Sequence, residues 1–300
     1  MDLQQLESFV RVCEHGSFTR AAAALDVPQP TLSRHVRQLE VELHEPLLLR
    51  TGRGVELTDA GKCLQSYGHA ILELTHQARE ELKALRGKLT GRAHVGLPPR
   101  VARVLTPVLV RRFRSTYPEA AISISEGLSV SLREALIVGR LELALLFDPP
   151  ASPKLDYLPL FCEDLVVCGR PQPGFPLPAR LAAAELSRYP LVLPSRPHAI
   201  RTVIETACGA QGIALNVATE VDTVQTLLEL ARDGQGYAVV PHSSVSQLPA
   251  RHGMKVSVIE KPRIRNRLVI GWSKQRPLSR LAQATLDLIR EQDIDALLNA

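Results

Sequence analysis

Several familiar signals are missing from this 300-residue sequence, and each absence narrows what the chain does. No apolar run approaches the ~18 residues that a membrane span requires, so no transmembrane helix is expected. The opening residues, MDLQQLESFV, hold no basic stretch followed by an apolar one, so no secretory signal is read there. The five cysteines (Cys13, Cys63, Cys162, Cys168 and Cys208) form no C-x-x-C pair, a pattern that fits buried, reduced thiols in a cytoplasmic protein. There is no H-E-x-x-H, and His69 and His76 lie two turns apart on one helix, too far for a shared metal. Gly52-Arg53-Gly54 and Gly234-Gln235-Gly236 lack the third glycine of a dinucleotide fingerprint. Neither a metal nor a cofactor is expected.

Positive charge is also scarce where it would be most telling. The chain carries a net charge of +5, yet residues 1–60 hold six arginines, no lysine and nine acidic residues. If that segment binds DNA, a few placed arginines must do so, not a general basic field. What is present is globular: 45% hydrophobic, 22% charged and long enough for two or more domains.

Leu3, Leu6, Phe9, Val10 and Cys13 recur at helical spacing, so residues 2–14 read as an amphipathic helix ended by Gly16. The Ser17 hydroxyl is placed to cap a second helix, Phe18 to Leu25, whose four alanines allow a close neighbour. Asp26-Val27-Pro28 breaks it. A third helix is predicted from Gln29 to Leu43, burying Leu32, Val36, Leu39 and Leu43 and turning Gln29, Pro30, Thr31, Ser33, Arg34 and Arg37 outward. Two helices joined by a short turn, the second carrying Gln, Ser and Arg, make a helix-turn-helix. One α-helix fits the major groove and reads base edges with its first turns. Leu47–Leu57 then reads as a hairpin around Thr-Gly-Arg-Gly, a wing that brings Arg50 and Arg53 to phosphate or the minor groove. From Thr58 to about Gly87 a long helix carries Leu64, Tyr67, Ile71, Leu74, Ala78 and Leu85 at heptad-like spacing, a seam that wants a second copy.

The stretch GSFTRAAAALDVPQPTLSRHVRQLEVELHEPLLLRTGRGVELTDAG resembles the N-terminal signature of LysR-type transcriptional regulators. Within that family, GRAHVGLPPRVARVL, EGLSVSLREALIVGRLELALLFDPP and LPSRPHAIR look most like the nitrogen-assimilation, Nac-like branch. Two positions depart from the family pattern. Pro28 stands where a small capping residue is common, so another group must cap the third helix. His44 stands where glycine usually ends it, and a left-handed backbone there would cost roughly 1 kcal/mol. The resemblance implies homodimers or homotetramers on inverted-repeat double-stranded DNA, with RNA polymerase as a further partner.

The remainder reads as α/β overall, with strands alternating with helices in two units and therefore parallel sheets covered on both faces. It is similar to the two-lobed, type II periplasmic-binding-protein fold that LysR-type effector domains share. The expected organisation is a winged helix-turn-helix over 1–58, a linker and dimerisation helix with its hinge over 59–90, and an effector domain over 91–300. Lobe I covers about 91–162 and 267–300, and lobe II about 163–266. Ligands of open α/β sheets sit outside the carboxyl ends of strands, here between the lobes. Helices starting near Pro99, Ser129 and His198 would aim their N-termini at that cleft, which favours a small anion. Pro98, Pro99, Arg100, Val101, Ser129, Ser195, Arg196 and His198 are the candidate effector contacts.

Two other classes compete. Gly127-Leu128-Ser129-Val130-Ser131 approaches the G-x-S-x-G nucleophile elbow of hydrolases but lacks the second glycine, and a serine at a strand-to-helix turn is more often a cap. A free-standing solute-binding protein would need export and would leave residues 1–87 without a purpose.

Overall fold

A computed structural model describes residues 1–52, 54–84, 89–246 and 253–299. Arg53 and Leu85 lie outside them, and of Arg50 only the backbone is described. The chain divides into two compact units, Met1–Gly91 with Ile137–Leu141, and Arg92–Leu136 with Glu142–Ala300.

The first unit is built on α1 (Leu3–His15), α2 (Phe18–Leu25) and α3 (Gln29–Leu43). A capping box starts α1: the Gln5 N–H donates to Asp2 Oδ1 at 2.7 Å, while Gln5 Oε1 accepts from the Asp2 N–H at 3.1 Å. Gly16 ends the helix in the left-handed region, φ +60°. Ser17 does precede α2, but its hydroxyl makes no capping bond. No side chain caps α3 either, so the expected substitute for Pro28 is absent; the proline is pre-set for a helix start and Pro30 removes one N–H that would need a partner. His44 adopts φ +55°, the left-handed stop expected of it.

Phe9, Val10, Val12, Phe18, Ala21, Leu32, Val36, Leu39 and Leu47 form one core. Leu43 was expected to join them but is 39% exposed, because α3 has by then run past the helices that cover it. The wing pairs β1 (Leu48–Thr51) antiparallel with β2 (Gly54–Leu57). Glu40 Oε1 accepts from the N–H groups of Leu47 and Leu48, tying α3 to the wing's entry. Gly54 passes so close to the α1–α2 turn that a Cβ would lie 2.4 Å from the Gly16 carbonyl oxygen. Next comes α4 (Asp59–Ala84), opened by Thr58, whose Oγ1 accepts from the Gly61 N–H.

In the second unit, β3 (Gly91–Leu97), α5 (Pro99–Thr116), β4 (Ala120–Glu126), α6 (Ser129–Ile137) and β5 (Leu143–Phe147) follow in order. β6 (Leu155–Gly169) is a single 15-residue strand. After it come β7 (Arg180–Ala182), β8 (Leu191–Leu193), α7 (Ala199–Gly209), β9 (Val217–Glu220), α8 (Val224–Arg232) and β10 (Tyr237–Pro241). β11 (Lys255–Glu260), β12 (Arg265–Ser273), α9 (Arg280–Arg290) and α10 (Ile294–Asn299) complete the unit.

The sheet order is β4-β3-β5-β12-β6-β10-β8-β9. β3/β5, β8/β9 and β8/β10 are parallel, but β12 runs antiparallel to both β5 and β6, so the sheets are mixed and not purely parallel. The physical reason is the direction of entry: β6 carries the chain out of this part of the sheet, and β12 brings it back the opposite way between β5 and β6. β6 changes partners midway. Residues 155–164 pair with β12, and residues 165–168 pair with β10. The two long strands therefore cross between two lobes. The second lobe has its own cores on the two faces of its sheet, one around Leu165, Leu191, Ile204 and Tyr237, the other around Val166, Leu227 and Val240.

Candidate nucleic-acid interface and ligand cleft

On α3, Gln29, Pro30, Arg34 and Arg37 are exposed, while Thr31 and Ser33 are half-buried. Their positions follow from periodicity: Leu32, Val36 and Leu39 are fully claimed by the core, which leaves the opposite face to solvent. Neither Arg34 nor Arg37 has an acidic partner among the described residues, so both guanidinium charges are uncommitted. Arg50 stands on β1 opposite Val55.

Along α4 the expected seam splits in two. Leu64 and Leu72 pack against the unit's own core, and a Cβ on Gly68 would meet Val10 at 2.8 Å, so this end of the helix is fastened to α1. Leu64 therefore has a partner within its own chain. Tyr67, Leu74 and Leu82 are 66%, 44% and 66% exposed; Ala78 is exposed and Ile71 half-buried. An exposed row of this length on a helix face is an unused contact surface.

The second unit contains a cleft of about 390 Å³. Of the eight expected effector contacts, Pro98, Pro99, Arg100, Ser129 and His198 line it. Val101 does not: it is wholly buried in the lobe I core beneath α5. Ser195 and Arg196 are also outside the lining. The Ser195 hydroxyl and N–H both donate to Asp222 Oδ1, and Arg196 turns outward into a bidentate pair with Glu205, 2.8 and 2.9 Å. A carboxylate within reach of a flexible guanidinium outcompetes an empty cleft.

Sequence reasoning missed a larger set. Arg103, Phe147, Asp222, Gln225, Ser243 and Asn266 all line the cleft. They are scattered over five elements and carry no short motif, so no local pattern could have found them.

The cleft's charge is also different from the expectation. Arg100 pairs with Glu163, stacks on the Phe147 ring at 5.5 Å to its centroid, and donates to Ser243. Glu163 is 7% exposed and accepts from the Ser243 hydroxyl and N–H as well. Arg100 therefore arrives already neutralised. Ser129 Oγ accepts from the Phe147 N–H at 2.8 Å, which fastens the start of α6 to the end of β5. His198 Nδ1 accepts from the Ile200 N–H at 3.2 Å and caps α7; burial lowers its pKa, with Asp222 opposing the shift. The neutral imidazole is the form that can accept that bond.

The thiols were expected to be buried, but Cys63 and Cys162 are exposed because each lies on an outward face of its element. Cys13 and Cys168 are pushed up to about 12 by burial and are protonated at neutral pH. Among the described residues no group of three or more His, Cys, Asp or Glu could hold a metal, and no helix is long and apolar enough to cross a membrane.

A winged helix-turn-helix whose Arg34 and Arg37 have no acidic partner among the described residues, followed by a two-lobed α/β unit with a cleft, is the architecture of a DNA-binding regulator. Comparison agrees. Residues 3–62 match the bacterial regulatory helix-turn-helix protein model of the lysR family, and residues 86–293 match the LysR substrate binding domain. The chain belongs to the LysR family and is a DNA-binding transcriptional regulator, not an enzyme. It is 31% identical over 291 residues to the nitrogen assimilation regulatory protein nac of Klebsiella aerogenes, covering 96% of this chain and 94% of that protein. The nac protein of Escherichia coli K12 is 32% identical over the same coverage. Among solved structures, full-length OxyR from Pseudomonas aeruginosa superposes with a TM-score of 0.75 at 25% identity, over 98% of this chain and 96% of that one. Full-length CbnR in complex with its target DNA shares the fold, TM-score 0.67 at 23% identity, over 97% and 99% of the two chains.

Proposed function

We propose that two copies of the chain bind an inverted-repeat promoter site, each laying α3 in the major groove. Gln29, Pro30, Thr31, Ser33 and Arg34 read bases, and Arg37, Arg50 and Arg53 hold phosphate or the minor groove. The observation that carries this reading is the pair of exposed arginines Arg34 and Arg37, without an acidic partner among the described residues, on the face of α3 that the core leaves free. An overall acidic segment gains DNA affinity only through such placed charges. The exposed row Tyr67, Leu74, Ala78 and Leu82 on α4 supplies the contact between copies, and two-fold symmetry then demands a palindromic site. Contacts of the second unit extend the dimer to a tetramer. The protein acts in the cytoplasm, with RNA polymerase as the partner its DNA-bound form engages.

The cleft of the second unit is the seat of a small-molecule effector that shifts the relative position of the lobes. A cleft lined mainly by apolar side chains with a few convergent polar groups is the ordinary form of such a site. The test is genome-wide mapping of bound sites followed by anisotropy titrations on the recovered sequence. A recurring inverted repeat bound only by the dimer carries the reading; binding without sequence preference at matched salt sinks it.

A further inference from the structure

Asn266 is the anomaly of the cleft. It stands on β12 where the strand crosses between the lobes, it is 1% exposed, and it lines the cleft floor. Its Oδ1 is completely buried with no hydrogen-bond partner among the described residues. Buried carboxamides in folded proteins are nearly always satisfied, so an unpaired one in a cleft lining calls for a partner from outside the chain, a water or a ligand. Its surroundings offer no substitute. Glu163, its register partner on β6, is saturated by Arg100 and Ser243.

The cleft's other features restrict the chemistry of an occupant. Arg100 is neutralised by Glu163, and Arg196 is committed to Glu205 outside the lining. The starts of α7 and α8 already give one N–H each to His198 and Thr223. The cation that remains, Arg103, is exposed on α5, where water screens it. Asp222 adds a negative charge to the lining, and its pKa is lowered by the Ser195 hydroxyl, so it stays ionised. An anion driven to the floor would meet no unpaired cation there and two carboxylates nearby. A neutral group meets no such penalty.

A carboxamide side chain presents one acceptor and one donor edge side by side, whichever way the amide is turned. Its complement is a group with the same pair in reverse. Around it, Val104, Leu128, Phe147, Ile200, Leu228 and Leu298 supply apolar walls. A volume of about 390 Å³ is at the small end for ligand pockets, enough for a compound of one or two rings. Resting on the effector-cleft reading above, we propose that Asn266 is the recognition residue of this cleft. It selects a small, largely apolar molecule carrying a neutral carboxamide or lactam, in place of the anion that the sequence favoured.

Isothermal titration of the full-length protein decides this with matched pairs of primary carboxamides and their carboxylates on benzene, pyridine, indole and cyclohexane rings. The expected result is that carboxamides bind at least about tenfold more tightly than their carboxylates. Asn266→Leu is expected to weaken carboxamide binding by about tenfold or more while the variant melts no lower than the parent chain, since it loses no internal hydrogen bond. Carboxylates binding more tightly than carboxamides would overturn the proposal and leave the effector cleft standing. Equal affinity in the parent and Asn266→Leu proteins would reduce Asn266 to an unsatisfied core residue. Heat from none of the pairs would count against both the ligand class and the cleft. The comparison of amide with acid on the parent protein needs no variant to fold.

Discussion

Glu163 and Asn266 are register partners on the two antiparallel strands that cross between the lobes, and their side chains meet opposite fates. Paired residues of a ladder share a face, so both belong to the cleft side of the sheet. Glu163 takes Arg100 from lobe I and Ser243 from the turn that follows β10 in lobe II, while Asn266 takes nothing. One residue of the pair pins the lobes together and the other is left open.

Breaking the pin is expected to be expensive. Glu163→Gln strands the Arg100 guanidinium, 15% exposed, beside a neutral group; losing one partner of a buried ion pair costs ~3–5 kcal/mol. Urea denaturation will show that loss, and the double change Arg100→Met with Glu163→Leu will recover most of it. If Glu163→Gln unfolds at the parent's urea midpoint, the pair does not pin the lobes.

Asn266→Leu moves stability the other way. Removing a buried polar group that has no partner relieves ~1–3 kcal/mol of desolvation cost, so the unliganded protein is expected to unfold at higher urea. A midpoint below that of the parent would mean that the carboxamide is satisfied in solution.

DNA readout is expected to depend on Arg34. Its replacement by alanine is expected to cost ~1–3 kcal/mol at a specific site and far less on random DNA, because a bidentate arginine–guanine contact is lost. Arg37→Ala is expected to weaken both about equally and to reduce the salt slope by about 1. Anisotropy titrations across a salt series separate the two, and identical losses on specific and random DNA for Arg34→Ala would remove it from base readout.

Assembly is expected to fail when the free row of α4 is charged. Tyr67→Asp with Leu74→Asp places two carboxylates on positions exposed in the single chain, so the domain still folds but the copies separate. Leu64→Asp acts differently, lowering the melting temperature because that residue packs against its own core. Sedimentation showing an unchanged assembly for the double variant would move the interface elsewhere.

Acid should loosen the start of α7. Burial depresses the His198 pKa below the ~6.5 of the unfolded chain. Its contribution to stability is therefore complete above that value and is lost as pH falls towards the folded-state pKa, when the unfolded state binds the extra proton. Denaturation at about pH 7.5 and about pH 5.5 should show a smaller loss for His198→Gln than for the parent. Parallel losses would exclude this histidine as the cause.

Much of the first unit was legible in the chain because its signals are local. The repeat of Leu32, Val36 and Leu39 defined both the buried face of α3 and, by subtraction, the solvent-exposed one. The left-handed stop at His44 was anticipated from the family resemblance, in which glycine usually stands there. The cleft was legible only where it coincides with helix starts, at Pro98, Pro99, Arg100, Ser129 and His198. Arg196 misled because its charge is visible in the sequence, while its pairing with Glu205, nine residues further on, depends on how α7 is placed.

By itself, the sequence determined the order of elements, the helix-turn-helix with its wing, and the division into a DNA-binding and an α/β part. Hydrophobic period, turn residues and helix stops act within a few residues of one another. Tertiary structure alone decided that β6 pairs with β12 in one lobe and with β10 in the other, that Leu64 belongs to a core while Tyr67 and Leu74 do not, and that Arg100 is neutralised. It also decided that Asn266 ends buried without a partner. Those outcomes depend on residues that meet from well apart in the chain (Arg100 with Glu163 is 63 apart), and pairing at such range is set by packing, not by local pattern.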